Sequence, residues 1–68
     1  MTETYYVEAS VPGLGVINIY CIEADSSGEA VEMVRDAIDD DELDYRSISF
    51  EQALVDAREM YLNIEEVK

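Results

Sequence analysis

Two alternating runs on either side of a tight turn constrain this fold more than anything else in the chain. In residues 4–11, "TYYVEASV", Tyr5, Val7, Ala9 and Val11 fall on one side of an extended backbone, and Thr4, Tyr6, Glu8 and Ser10 on the other. In residues 16–24, "VINIYCIEA", Ile17, Ile19 and Cys21 share one face while Val16, Asn18, Tyr20 and Ile22 share the other, so this run is apolar on nearly both sides. Between them, Pro12 suits the second position of a turn, and Gly13 can take the positive φ that a type II turn requires next. The spacing predicts an antiparallel hairpin with its second strand the more central. A two-stranded hairpin is marginal in water, so further elements must cover it.

Register follows from the faces, because a one-residue slip reverses every side chain. Pairing Ala9 with Ile17, Val7 with Ile19 and Tyr5 with Cys21 joins apolar faces and leaves Gly15 near the turn, where a bulge needs a glycine. That register sets Tyr6 opposite Tyr20 on the outer face. Together with Val16 and Ile22 the two rings form either a packing surface for another layer or a contact for a partner.

The cover is predicted to be two helices. In "DSSGEAVEMVRDAIDD", Ser26 and Glu29 make a capping box, and Val31, Val34 and Ile38, flanked by Ala30 and Ala37, form the apolar stripe. Glu29, Glu32, Asp36 and Asp40 recur on the opposite face as an acidic ridge. In "SISFEQALVDAREMYLN", Ser49 and Gln52 make a second box, Ile48 can staple onto Ala53, and Phe50, Leu54, Ala57, Tyr61 and Ile64 keep a helical spacing. Asn63 is the expected C-terminal cap. Residues 64–68 are read as a short strand, since Ile64 and Val67 need cover; the alternative is a frayed tail. Residues 46–53, "RSISFEQA", also partly alternate and offer a third strand as the competing reading.

The expectation is therefore a single α+β domain over residues 1–68: an N-terminal β-hairpin followed by two α-helices, with both helices on one face of an antiparallel sheet. A chain of 68 residues has room for one domain. Cys21 is the lone cysteine, which excludes an internal disulfide and fits a reducing compartment. The first residues carry no basic segment followed by an apolar one, and no run approaches about 18 apolar residues, so a cytoplasmic protein is expected.

Charge then narrows the chemistry. Seventeen Asp and Glu stand against three Arg and one Lys, a formal net charge of −13. Residues 36–44, "DAIDDDELD", hold six carboxylates in nine positions with no cation among them. Histidine is absent, so Cys21 lacks the usual activating base, Lys68 as the terminal residue is not expected to act as an amine nucleophile, and no catalytic residue is assigned. Carboxylate pairs that act as acid and base work in clefts that so small a domain scarcely encloses. No glycine stands where an EF-hand loop starting at Asp36, Asp39 or Asp41 requires one, and zinc lacks ligands, so no metal or cofactor is expected. "VPGLGV" opens no helix bearing a phosphate-binding Lys and is read as a turn. Direct binding to nucleic acid or to anionic membranes is excluded by the sign of the charge, and Arg35, Arg46 and Arg58 are expected to pair with nearby acids.

Reversing that electrostatic argument gives an expectation about function. A domain of this length has a radius of gyration of about 11 Å and a diameter of roughly 28 Å. B-DNA of that length carries on the order of 16 phosphate charges. A net of −13 is comparable. Carboxylates three or four positions apart on a helix lie about 5–6 Å apart at Cβ, close enough together for a basic groove to accept them. The chain is thus expected to bind a basic nucleic-acid-binding protein as a nucleic-acid mimic. The contacts assigned to that role are Glu29, Glu32, Asp36, Asp39, Asp40, Asp41, Glu42 and Asp44, with Tyr6 and Tyr20 added from the outer face of the hairpin. In size and acidity the chain resembles the small inhibitors encoded by phages and mobile elements, including DNA-mimicking antirestriction and anti-CRISPR proteins. That resemblance implies a non-enzymatic inhibitor and carries over no residue roles. The alternative is an acidic adaptor or accessory domain whose charge serves solubility or adaptation to high salt. A homodimer through the hairpin's edge or outer face is a further expectation.

Overall fold

The computed structural model describes residues 1–67. Its elements are β1 (Glu3–Val11), β2 (Gly15–Ala24), α1 (Ser27–Ile38), β3 (Asp44–Ile48), α2 (Phe50–Met60) and β4 (Ile64–Glu66). The strand order is β3-β1-β2-β4, with β1 antiparallel to both β2 and β3, and β4 parallel to β2. The α+β class, the N-terminal hairpin, the two sheet-packed helices and the C-terminal strand all stand. The sheet is mixed rather than antiparallel, because β4 arrives by a crossover instead of a hairpin. β3 is an added element: residues 44–48 supply the third strand, overlapping the competing reading of residues 46–53 and ending before Ser49 caps the second helix.

The path of the chain decides where the helices lie. From β2 the chain crosses β1 through α1 to reach β3 at one edge; from β3 it returns through α2 to β4 at the other edge. Both connections join parallel strands, and parallel crossovers are overwhelmingly right-handed. Two crossovers of one hand running in opposite directions must use opposite faces. The contacts agree: Ala30 and Val34 of α1 pack with Val7, Ala9, Tyr20, Ile22, Ala24 and Tyr45, whereas Phe50 of α2 meets Tyr6, which alternates to the other side. The expectation of both helices on one face is corrected accordingly.

The hairpin turn forms as its residues require: Leu14 N–H donates to the Val11 carbonyl at 2.9 Å, with Gly13 at φ 85°. The register differs by one residue. Val7 pairs with Tyr20 and Tyr5 with Ile22, and a bulge between Ala9 and Ser10 leaves Ile17 without a partner. The side chains of β2 are therefore reversed, with Tyr20, Ile22 and Ala24 under α1 and the buried Ile19, by alternation, on the opposite face. A strand apolar on both faces fits either register, so the bulge decides.

Both serine caps form, with Ser26 Oγ accepting from Glu29 N–H at 3.2 Å and Ser49 Oγ accepting from Gln52 N–H at 3.0 Å. The return half of each box goes elsewhere: Glu29 accepts from Asp25 N–H, and Gln52 Nε2 donates to Asp56 Oδ1. The second helix ends at Met60, with Tyr61 rather than Asn63 as its cap. Its expected core stripe is also corrected. Ala53 and Asp56 face the sheet, while Phe50, Leu54 and Tyr61 are exposed. A methyl side chain at the contact lets the short helix sit close, and larger neighbours on the same turns then splay outward. At the C-terminus Val67 N–H donates to the Cys21 carbonyl at 2.9 Å. Lys68 lies outside the described residues, and with it the reading of its amine.

Candidate partner-binding surface

The acidic ridge is built on the outward side of α1. Ala30 and Val34 turn inward, which leaves Glu29, Glu32 and Asp36 exposed on the other side of the same turns. Asp39 ends the helix at φ 54°, in the left-handed region that Asp and Asn tolerate better than most residues. Beyond it the loop is tied down at Asp40, whose Oδ1 accepts from Glu42 N–H at 3.0 Å and whose carbonyl accepts from the buried Tyr45 hydroxyl at 3.1 Å. Arg35 lies over the Tyr45 ring at 5.8 Å. Burial, followed by the charge of Asp40, raises the Tyr45 pKa above its ordinary value, so the hydroxyl keeps the proton it donates.

The structure places Glu29, Glu32, Asp36, Asp39, Asp40, Asp41, Glu42 and Asp44 in sequence along the helix, its loop and the first residue of β3, and all eight are exposed. None of them makes an ion pair among the described residues. The pairs present join the Met1 amino group to Asp25 at 3.9 Å and Arg46 to Glu8 at 2.6 Å. Of the three Arg expected to pair with acids, Arg46 does so with Glu8, Arg35 lies over an aromatic ring, and Arg58 makes no ion pair among the described residues, so none of them neutralises the ridge.

The two tyrosines do not join this surface. Tyr20 is only 5% exposed beneath α1, and burial, with Glu65 nearby, raises its pKa. It is a core residue, and its assignment as an outer contact is corrected; the one-residue register change is the cause. Tyr6 is half-buried against Phe50, with ring centroids 5.2 Å apart, on the face of the sheet away from α1. The outward aromatic surface was a packing layer for Tyr6.

Sequence reasoning missed a second group of residues on that far face. Glu8 and Asp56 are buried there between β1 and α2, beside the exposed stripe of Phe50, Leu54 and Tyr61. The only signal was Glu8 itself, an acid in mid-strand whose cross-strand neighbour is Arg46.

No family model matches the chain, and no curated protein or solved structure matches it significantly.

Proposed function

We propose that the protein is a non-enzymatic nucleic-acid mimic that occupies the basic groove of a DNA- or RNA-binding protein, in the manner of phage anti-CRISPR or antirestriction inhibitors. One observation carries the reading: eight outward carboxylates within residues 29–44, unpaired among the described residues, stand on a capped helix, a loop tied at Asp40 and the first residue of β3. A groove that binds phosphates through Lys and Arg gains from any rigid anion array of similar spacing, and long-range attraction speeds the encounter. Scale supports it too. The molecule extends 34 Å along its longest axis. Duplex DNA of that length carries roughly 20 phosphate charges. The chain carries −13.

The test captures partners on immobilised protein, identifies them, and challenges each purified complex with duplex DNA and with salt. Mimicry requires that a captured nucleic-acid-binding protein be displaced by its own DNA or RNA and released between about 50 mM and about 500 mM salt, as screening shortens. It also requires that replacing Asp39, Asp40 and Asp41 by Asn and Glu42 by Gln abolish capture. Partners without a basic groove, or affinity unchanged by those substitutions, would overturn it in favour of the adaptor reading.

A further inference from the structure

The exposed face of α2 carries an inference separate from the ridge. Phe50, Leu54 and Ala57 recur at helical spacing, Tyr61 follows them as the left-handed cap, and Phe50, Leu54 and Tyr61 are 53%, 44% and 95% exposed. Of the exposed charges on this helix, Glu51 and Arg58 flank that stripe, while Glu59 lies on the side away from it. Glu51 and Arg58 are seven positions apart, so both flank the stripe on the same side, one in the first turn and one in the last. Both are exposed, and Arg58 makes no ion pair among the described residues despite the excess of acids.

We infer that this face is the interface of a homodimer in which two copies of α2 pack antiparallel about a two-fold axis. A two-fold contact brings residue i against j and j against i. Antiparallel pairing centred between Val55 and Asp56 sets Phe50 against the partner's Tyr61 and Leu54 against the partner's Ala57. The same operation keeps each flank on its own side. The partner's Arg58 then lies two residues, about 3 Å along the axis, from the level of Glu51 and within reach of its long side chain, twice over, so the surface is complementary to itself in charge. The acidic ridge does not oppose this contact, since it lies on the other face of the sheet and charges beyond about 8 Å are largely screened at physiological salt.

Tyr61 supplies an independent reason. It closes α2 at φ 56°, a conformation in which a bulky side chain is an outlier and for which helix ends ordinarily use Gly. A nearly fully exposed aromatic ring in a strained position is unfavourable for an isolated monomer twice over. An interface that covers the ring would remove the cost of its exposure. Large aromatic side chains bury about 150–250 Å² each, so two Phe50 and two Tyr61 supply at most about 600–1,000 Å² in total, less because Phe50 is already half covered, which is the size of a weak and transient contact. The dimer is accordingly concentration-dependent.

Sedimentation equilibrium of the full chain tests this, with loading from about 10 μM to about 1 mM, the range suited to a small interface. The mass should rise from that of one chain toward that of two. Leu54→Asp should stay at the mass of one chain. Arg58→Glu and Glu51→Arg should each weaken association about fivefold, since symmetry breaks two pairs at once, while the double exchange should restore it. Tyr61→Gly should raise the melting temperature of the dilute protein and weaken association, opposite changes that a purely structural cap would not give. A single-chain mass at every concentration, or a double exchange that restores nothing, would overturn the proposal. So would a monomer whose capture of a foreign partner is lost in Leu54→Asp, because α2 would then serve that partner.

Discussion

At the scale of single residues, the most exposed balance of forces is the Glu8–Arg46 pair. They are direct neighbours across β1 and β3, and Arg46 Nε donates to Glu8 Oε1 at 2.6 Å. The Glu8 side chain is 3% exposed and the Arg46 side chain 73%, so α2 covers the anion while the cation reaches solvent over the edge strand. Glu8 Oε2 is buried with no hydrogen-bond partner among the described residues, which makes Arg46 its main compensation. Arg46→Leu should therefore destabilise the fold by about 1–3 kcal/mol in urea unfolding, since removing one partner leaves a buried charge. Solvent screening of the guanidinium keeps that figure below the cost for a fully enclosed pair. Replacing both residues by Leu should recover most of the loss, because an apolar pair on adjacent strands needs no compensation. A single substitution costing under about 0.5 kcal/mol would mean that the pair behaves as an ordinary surface contact.

At the scale of elements, the two helices are held unequally. α1 buries Ala30 and Val34 within the main apolar cluster, supported by Val31 and Ile38, whereas α2 buries only Ala53 and Asp56. Local opening follows buried apolar contact, so in native-state hydrogen exchange of the dilute monomer the α2 amides should lose protection before those of α1 and β1. Ser49→Ala, which removes the cap at 3.0 Å, should cost about 1 kcal/mol and widen that gap. Equal protection in both helices would contradict the unequal packing. The same contrast explains what the sequence made legible. Strand alternation, the Pro12–Gly13 turn and both serine caps are local chemistry and could be read directly. The β1–β2 register depended on a bulge that leaves Ile17 unpaired, and β2 is apolar on both faces, so nothing local favoured one pairing. The placement of α2 on the far face comes from β3, a five-residue strand whose opening Asp44 reads as loop. Without that strand, the direction reversal that sends the second crossover to the other side is invisible. The ridge was legible because exposure of charge on a capped helix follows from spacing alone; Tyr20 was misplaced because its exposure rested on the register.

At the scale of the whole molecule, charge opposes the fold and favours encounter with a basic partner. A net of −13 on a molecule with a radius of gyration of 11.1 Å is self-repulsive, and eight of the acids lie between residues 29 and 44. Within that segment, Asp39 sits at the negative end of the α1 dipole, where an anion is unfavourable. Neutralising Asp39, Asp40 and Asp41 to Asn and Glu42 to Gln should stabilise the protein by about 1 kcal/mol at low ionic strength, the sum expected from relieved like-charge pairs and the helix end. The local geometry survives those changes: Asn suits the left-handed conformation of residue 39, and an Asn oxygen at residue 40 can accept from the backbone N–H of residue 42 as Asp40 does now. For a domain of this size that gain corresponds to a rise of about 4–8 °C in melting temperature. Salt supplies the control, because raising it from about 50 mM to about 500 mM shortens the screening length below the spacing of most of these charges. The unsubstituted protein should gain stability over that range, and the variant should gain less. A salt response of equal size in the two proteins would locate the repulsion outside residues 39–42. A variant that is more stable and has also lost partner capture would separate, in a single protein, the cost of these carboxylates to the fold from their proposed role in binding.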